Sequence, residues 1–225
     1  MGEWRRYFFH RKESVRTTSK LRVGTLVVVI LIASVTRGFW VSRLAGSLVC
    51  TQELAPSDII LVENFDPNYL VFKRAAELQK AGFAPRALVP VAAPRHAAIA
   101  DPVSQGIADV MARQARLGVW EIIPILETEP ITLNAGRQIR DRLATEQVRS
   151  LIVVTSGFRS RRTSLVYHTL LADAGTQVYC APVFDRRTPE RWTETWHGIQ
   201  EVTEEFLKLQ YYRLYVIPFL ARRAS

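Results

Sequence analysis

Apolar positions along the chain fall into two regimes. From 23 to 36 the segment VGTLVVVILIASVT carries no charge, and past Arg37 the apolar run continues through Val41. A helix needs about 20 residues to cross a bilayer, so 23–41 is expected to be one spanning helix, with Arg37 snorkelling outward and Trp40 at the interface. Beyond a connector over 42–56, short apolar runs at 58–62, 87–91, 122–126, 151–155 and 177–181 alternate with helical patterns. The runs are continuously apolar rather than alternating, the pattern of strands buried on both faces. Pro90 weakens the second run.

The intervening segments carry helix punctuation. Asp66 and Pro67 fit a cap and a first turn, and Gly82 a stop. Asp101 and Pro102 repeat the signal ahead of a face made of Val103, Ile107, Val110, Met111 and Leu117, closed by Gly118. Thr132 fits a cap for a helix holding Ile139 and Leu143; the helix after 155 stops at Gly175; a last helix runs from Thr195 to Leu214. Strand–helix alternation of this kind predicts a doubly wound, mainly parallel, five-stranded Rossmann-like α/β domain over 57–214. The tail 215–225 is apolar and aromatic, with Arg222 and Arg223 near its end. It is too short to span a bilayer, so it either packs on the domain or lies at the membrane interface.

Charge decides the orientation. The net charge is +9, from 30 Lys and Arg against 21 Asp and Glu, and Arg5, Arg6, Arg11, Lys12, Arg16, Lys20 and Arg22 cluster ahead of the apolar run. A basic flank there holds residues 1–22 in the cytoplasm and places the domain across the inner membrane, in the periplasm or its equivalent. A signal peptide cleaved after Ala45-Gly46-Ser47 and a buried core helix also fit the apolar run; the two arginines after 36 and the basic flank favour the anchor. Nucleic-acid binding calls for basic residues interleaved with aromatics on the domain, and the chain has no such stretch. Cys50 and Cys180 form no CxxC pair or Cys/His cluster, which argues against structural zinc. The two cysteines are read as free thiols in preference to a disulfide.

In an open parallel sheet, ligands sit beyond the carboxyl ends of the strands. Those ends carry Glu63, Asn64 and Asp66; Pro94, Arg95 and His96; Glu127 and Glu129; Thr155 to Arg162; and Asp185, Arg186 and Arg187. In the fourth group Arg159, Arg161 and Arg162 crowd a helix N-terminus, which already repels positive charge. An anion bound there would compensate them; solvated arginines with Ser156 or Ser160 as cap is the plainer reading. Glu127 and Glu129 suit acid/base work or a hard cation, but a solvated loop explains them better. His96 stands alone, and His197 beside Trp196 suits packing. The chain holds no GxSxG, P-loop or GxGxxG pattern, so no cofactor is implied.

The segments SDIILV, RAAELQKAG, EPITLNAGRQI and VVTSGFRSRR, over roughly 56–214, resemble the YdcF/SanA/ElyC-like family of bacterial envelope proteins. In that resemblance Glu129, Thr132 and Asn134 match one family motif, Thr155, Ser156 and Arg162 another, and Arg74 a helix arginine. Glu63 and Asn64 stand where the family has paired glycines, and Ala135, Arg137, Gln138 and Arg159 also depart from its pattern. The resemblance implies a role in envelope or cell-wall maintenance. The expected function is a membrane-anchored envelope protein binding an anionic small molecule that carries a phosphate or a nucleotide. Asn134, Thr155, Ser156, Arg159, Arg161, Arg162 and Arg74 would be its ligand-binding residues, Glu129 its candidate acid or base, and no metal is expected. A transferase or hydrolase acting on such a ligand, and a scaffold with a decayed site, are the alternatives. The expected partners are the lipid bilayer and the anion, not nucleic acid.

Overall fold

A computed structural model describes residues 18–94 and 99–221. The expectations placed on Arg95, His96, Arg222, Arg223 and the basic residues before 18 lie outside the described residues. The chain divides into two compact units, Met1–Trp40 and Val41–Ser225.

The apolar N-terminal run is helical, but it is not one helix. Helix α1 (Ser19–Val35) ends at Thr36, and α2 (Arg37–Gly46) follows. No single described helix is long and apolar enough to cross a membrane; α1 and α2 meet that requirement only as a bent pair. The break has a local cause. Thr36 Oγ1 donates back to the Ile32 carbonyl at 2.6 Å and accepts from Trp40 Nε1 at 3.1 Å. A threonine bonding to its own preceding turn bends a helix, and Gly38 adds little helix propensity beyond it. None of the α1 side chains is buried.

The second unit holds the sheet. Its elements are β1 (Ile59–Val62), α3 (Tyr69–Lys80), β2 (Arg86–Ala93), α4 (Pro102–Gln114), β3 (Val119–Leu126), α5 (Ile131–Thr145), β4 (Ser150–Ser156), α6 (Ser160–Leu171), β5 (Gln177–Val183) and α7 (Trp196–Tyr211). A π-helical stretch, Tyr212–Ala221, continues α7. The five strands are all parallel, in the order β3-β2-β1-β4-β5. Leu61 pairs with Leu88 on one side and Val153 on the other. Helices cover both faces: α3 and α4 pack over Ile60, Val62 and Val89, and α5 and α6 over Ile59, Leu61 and Val153. This is the expected doubly wound α/β sheet, and the chain order reverses between β1 and β4. Pro90 lies in β2 past its last register pair with β1, where a missing N–H is tolerated.

Several local expectations are corrected. The cap of α3 is Asn68, whose side chain accepts from Leu70 N at 3.0 Å; Asp66 lies outside the helix. Asp101 does cap α4, through Ser104 N at 2.9 Å. The buried side of α4 is Ala108 and Ala112, whereas Val103 and Val110 are 70% and 68% exposed. Small residues let α4 lie close against α3 and β2; of the expected face, Val103, Ile107 and Val110 are turned outward, while Met111 packs against the core and Leu117, past the helix, is buried in it. Thr132 is buried within the first turn of α5 and caps nothing. In the stretch Tyr212–Ala221, which includes the described part of the tail, Tyr212 and Val216 pack on Leu133, Val166 and Leu170, while Leu214, Tyr215 and Phe219 remain exposed.

The connector is built into this unit. Ala45 and Leu48 are buried with Phe158, Trp192, Val202 and Leu209. Trp192 Nε1 donates to the Val41 carbonyl at 3.0 Å, and Arg161 N to the Leu48 carbonyl at 2.9 Å. Cys50 and Cys180 are joined in a disulfide with Cα atoms 6.3 Å apart, so the expectation of free thiols is overturned. Sequence spacing does not reveal that packing Leu48 under α6 brings residue 50 beside β5.

Candidate functional site

A crevice of about 440 Å³ opens where the topology predicts, beyond the carboxyl ends of β1 and β4. Its wall on the strand side is Glu63, Asp66 and Ser156; across it stands α7 with Glu201, Glu204, Glu205 and Lys208; Arg159 and Arg187 reach in between. A smaller recess of about 240 Å³ shares Phe65, Arg159 and Lys208 with it and is lined further by Glu129, Thr132, Arg162 and Tyr212.

Glu63 is the deepest charge. It continues β1 by one residue, its N–H bonded to the Val154 carbonyl at 3.0 Å, and is 4% exposed. Thr155 of β4 donates its hydroxyl to the Glu63 carboxylate, and Thr163 Oγ1 of α6 lies 3.0 and 3.1 Å from the two carboxylate oxygens. Two hydroxyl donors are what a buried carboxylate needs. Tyr167, fully buried on the same helix, has no partner for its hydroxyl. Burial pushes that phenol well above its usual value, and the nearby Glu63 charge pushes it further the same way.

The three arginines of the fourth strand end separate. Arg162 turns inward: its Nε and Nη2 grip Glu205 at 2.9 to 3.2 Å, Nη1 donates to Thr132 Oγ1 at 2.6 Å, and the guanidinium lies 5.2 Å from the Tyr212 ring centroid. Its donors are spent inside the fold. Arg159 is held loosely, with Nη2 3.4 Å from Asp66 and Nε 3.7 Å from Glu205. Arg159 Nε is buried and makes no hydrogen bond. Burial opposes the Arg159 charge, but Glu63, Glu205 and Asp66 together outweigh it and hold the guanidinium above its usual value. Arg161 is exposed on another side of α6 and lines neither recess.

The helix end itself is covered. A short 3-10 turn, Gly157–Arg159, precedes α6, and a Cβ at Gly157 would lie 2.1 Å from the Phe184 ring. Ser160 Oγ donates to the Gly157 carbonyl at 2.5 Å and accepts from Cys50 N at 3.0 Å, so it does not cap α6, and neither does Ser156. The Arg161 N–H is taken by the Leu48 carbonyl, and the cations that the crevice presents are Arg159, Arg187 and Lys208.

The remaining candidates are scattered. Ser156 and Glu129 border the two connected recesses, and Thr155 lies beneath them under Glu63. Asn134 donates to the Thr128 and Glu129 carbonyls at 3.0 Å, shaping the loop ahead of α5. Arg74 pairs with Glu77 on α3, 3.4 Å away, and lines neither recess. Glu127 is exposed. His197, expected in packing, is exposed and borders the crevice, and Trp196 beside it is 72% exposed.

Sequence reading missed the α7 carboxylates. Their spacing, Glu201, Glu204, Glu205 and Lys208, is a helical i, i+3, i+4, i+7 stripe and was a usable signal. Arg187 bridges from Asp185 at 2.7 Å to Glu201 at 2.9 Å. Burial nevertheless holds the Glu201 carboxyl above its usual value, against the pull of Arg187. Among the described residues no group of three or more His, Cys, Asp or Glu is placed to hold a metal ion. Set beside known proteins, the chain matches no family model and no curated protein.

Proposed function

We propose that this is a membrane-anchored envelope protein whose crevice binds an anionic small molecule through Arg159. The observation that carries the reading is the state of that guanidinium: charged, set at the reversal of chain order, and held only by long contacts. An incoming phosphate or nucleotide phosphate displaces Asp66, which is 77% exposed and free to swing into solvent, and gains the unused Nε–H. Ser156 adds a hydroxyl, and Glu129 borders the adjoining recess as the available acid or base. The address rests on the apolar α1–α2 pair, the basic flank, and the Cys50–Cys180 disulfide, which suits an oxidising compartment. The resemblance to the YdcF/SanA/ElyC-like family supports the envelope role and is part of this proposal.

A second reading, a scaffold that binds no ligand, draws on the five carboxylates that line the crevice against three basic side chains. Native mass spectrometry of the detergent-extracted chain separates the two. The expected spectrum shows a phosphate-bearing small molecule on the wild type and none on Arg159→Gln. A bare protein mass in both, or an adduct that survives Arg159→Gln, rejects the crevice as an anion site.

A further inference from the structure

A third recess, of about 270 Å³, lies on the side of α6 that carries Arg161. Arg161, Ser164 and His168 follow i, i+3, i+7 spacing and so share one helix face. Gln52 closes the recess from the connector, and Arg213 reaches it from the terminal helix. The connector wall is fixed at three points: the disulfide to β5, the Cys50 N–H on Ser160 Oγ, and the Leu48 carbonyl on Arg161 N.

The charge here is one-sided. No carboxylate lines the recess, and among the described residues neither Arg161 nor Arg213 has an ion-pair partner. His168 meets Gln52 Nε2 at 3.2 Å, and burial alone holds its imidazole below the usual value, so the permanent charge comes from the two guanidiniums. Two unpaired cations in one recess repel each other. A carboxylate has two oxygens, which a single guanidinium satisfies; two guanidiniums with the Ser164 hydroxyl and the Gln52 amide match an anion with three or four oxygens.

We propose that Arg161 and Arg213 form a second anion site, separate from the crevice, that takes a phosphate group. The phosphate comes either from a small soluble ester or from a phospholipid headgroup. Each arginine supplies a forked pair of donors, and Ser164 and Gln52 supply neutral ones. The site requires the connector to be seated, because Gln52 belongs to that strand of chain.

Calorimetric titration of the full chain in nonionic detergent tests this, in an Arg159→Gln background that silences the crevice. Inorganic phosphate is expected to bind there, and adding Arg161→Gln or Arg213→Gln is expected to weaken it by about ten-fold or more each, the loss of one charge-assisted donor pair. Both arginines are exposed, so both variants are expected to fold, and unchanged circular dichroism checks this. A background that binds no phosphate, or binding that neither substitution alters, overturns the proposal. Failure of the crevice reading shows separately, as wild type and Arg159→Gln giving the same isotherm. A short-chain phosphatidylglycerol titrated below its micellar concentration then identifies the source. Tighter binding than phosphate, still lost in Arg161→Gln, assigns a lipid headgroup; weaker binding assigns a soluble ester.

Discussion

Arg162 and Glu205 form a two-pronged ion pair inside the domain, each side chain only 6% exposed. The pair ties α6 to α7 across 43 residues of sequence and sits directly behind Arg159. Breaking a buried pair by removing one partner leaves an uncompensated charge and costs about 3–5 kcal/mol. Arg162→Gln and Glu205→Gln are therefore expected to lower the melting temperature sharply, whereas Arg159→Gln without ligand changes it little. Replacing Arg162 and Glu205 together with Met and Leu is expected to recover part of the loss, because neither member of the pair is left without the other while Arg159 and Lys208 lose one carboxylate neighbour. Thermal unfolding of the four variants checks this; an Arg162→Gln protein as stable as wild type contradicts the pair.

The disulfide closes 130 residues of chain. A loop of that length restricts the unfolded state by about 4–5 kcal/mol in the chain-entropy account. For a chain of this size that corresponds to a drop on the order of 10–20 °C in melting temperature on reduction or in Cys180→Ala. Unfolding curves with and without reductant measure it directly, and superimposable curves mean the thiols are free.

Two carboxylates give the stability curve opposite slopes with pH. Backbone N–H groups of Arg149 and Ser150 hold Asp58 below its ordinary 3.8, the Arg149 contact being the larger. That stabilisation is complete above 3.8 and is lost as pH falls through the lowered value. Burial holds Glu201 above its ordinary 4.5, so its contribution is complete below 4.5 and is lost as pH rises through the raised value. Asp58→Asn is expected to flatten the acid limb of a melting-temperature profile. Glu201→Gln is expected to gain on wild type as pH rises above 4.5 and through the raised value. A constant offset for either variant across its window rules out that assignment.

Topology is open to a direct test. A reporter active only outside the cytoplasm, fused after Ser225, is expected to be active, and the protein to resist carbonate extraction while keeping residues 1–22. A mature protein starting near Leu48 shows a cleaved signal instead. Such cleavage would also strip the fully buried Ala45 from its place beside Trp192.

The sheet was legible because the inner strands β1, β2 and β4 are continuous apolar runs buried on both faces, whereas the edge strand β3, apolar over 122–126, alternates buried and exposed positions. The face of α4 was not. Periodicity selects the largest apolar side chains, while close helix packing selected Ala108 and Ala112. Arg159 and Arg162 share a side by their i, i+3 spacing, and Arg161 falls outside it, a distinction the sequence carries. That Arg162 is neutralised by Glu205 is not visible locally, since the partner arrives with the last helix. Cys50 and Cys180 were likewise misread, because nothing near either one shows that the connector lies under α6.

That placement of the connector sets an order of events during synthesis. Ala45 and Leu48 are among the first residues of the domain to leave the ribosome, and their neighbours Trp192, Val202 and Leu209 are among the last. The strip next to the apolar helices must wait, unburied, for nearly the whole chain to emerge. A truncated product lacking α7 keeps every strand and still leaves that strip without its cover, which makes it a substrate for quality-control proteases that recognise exposed apolar chain.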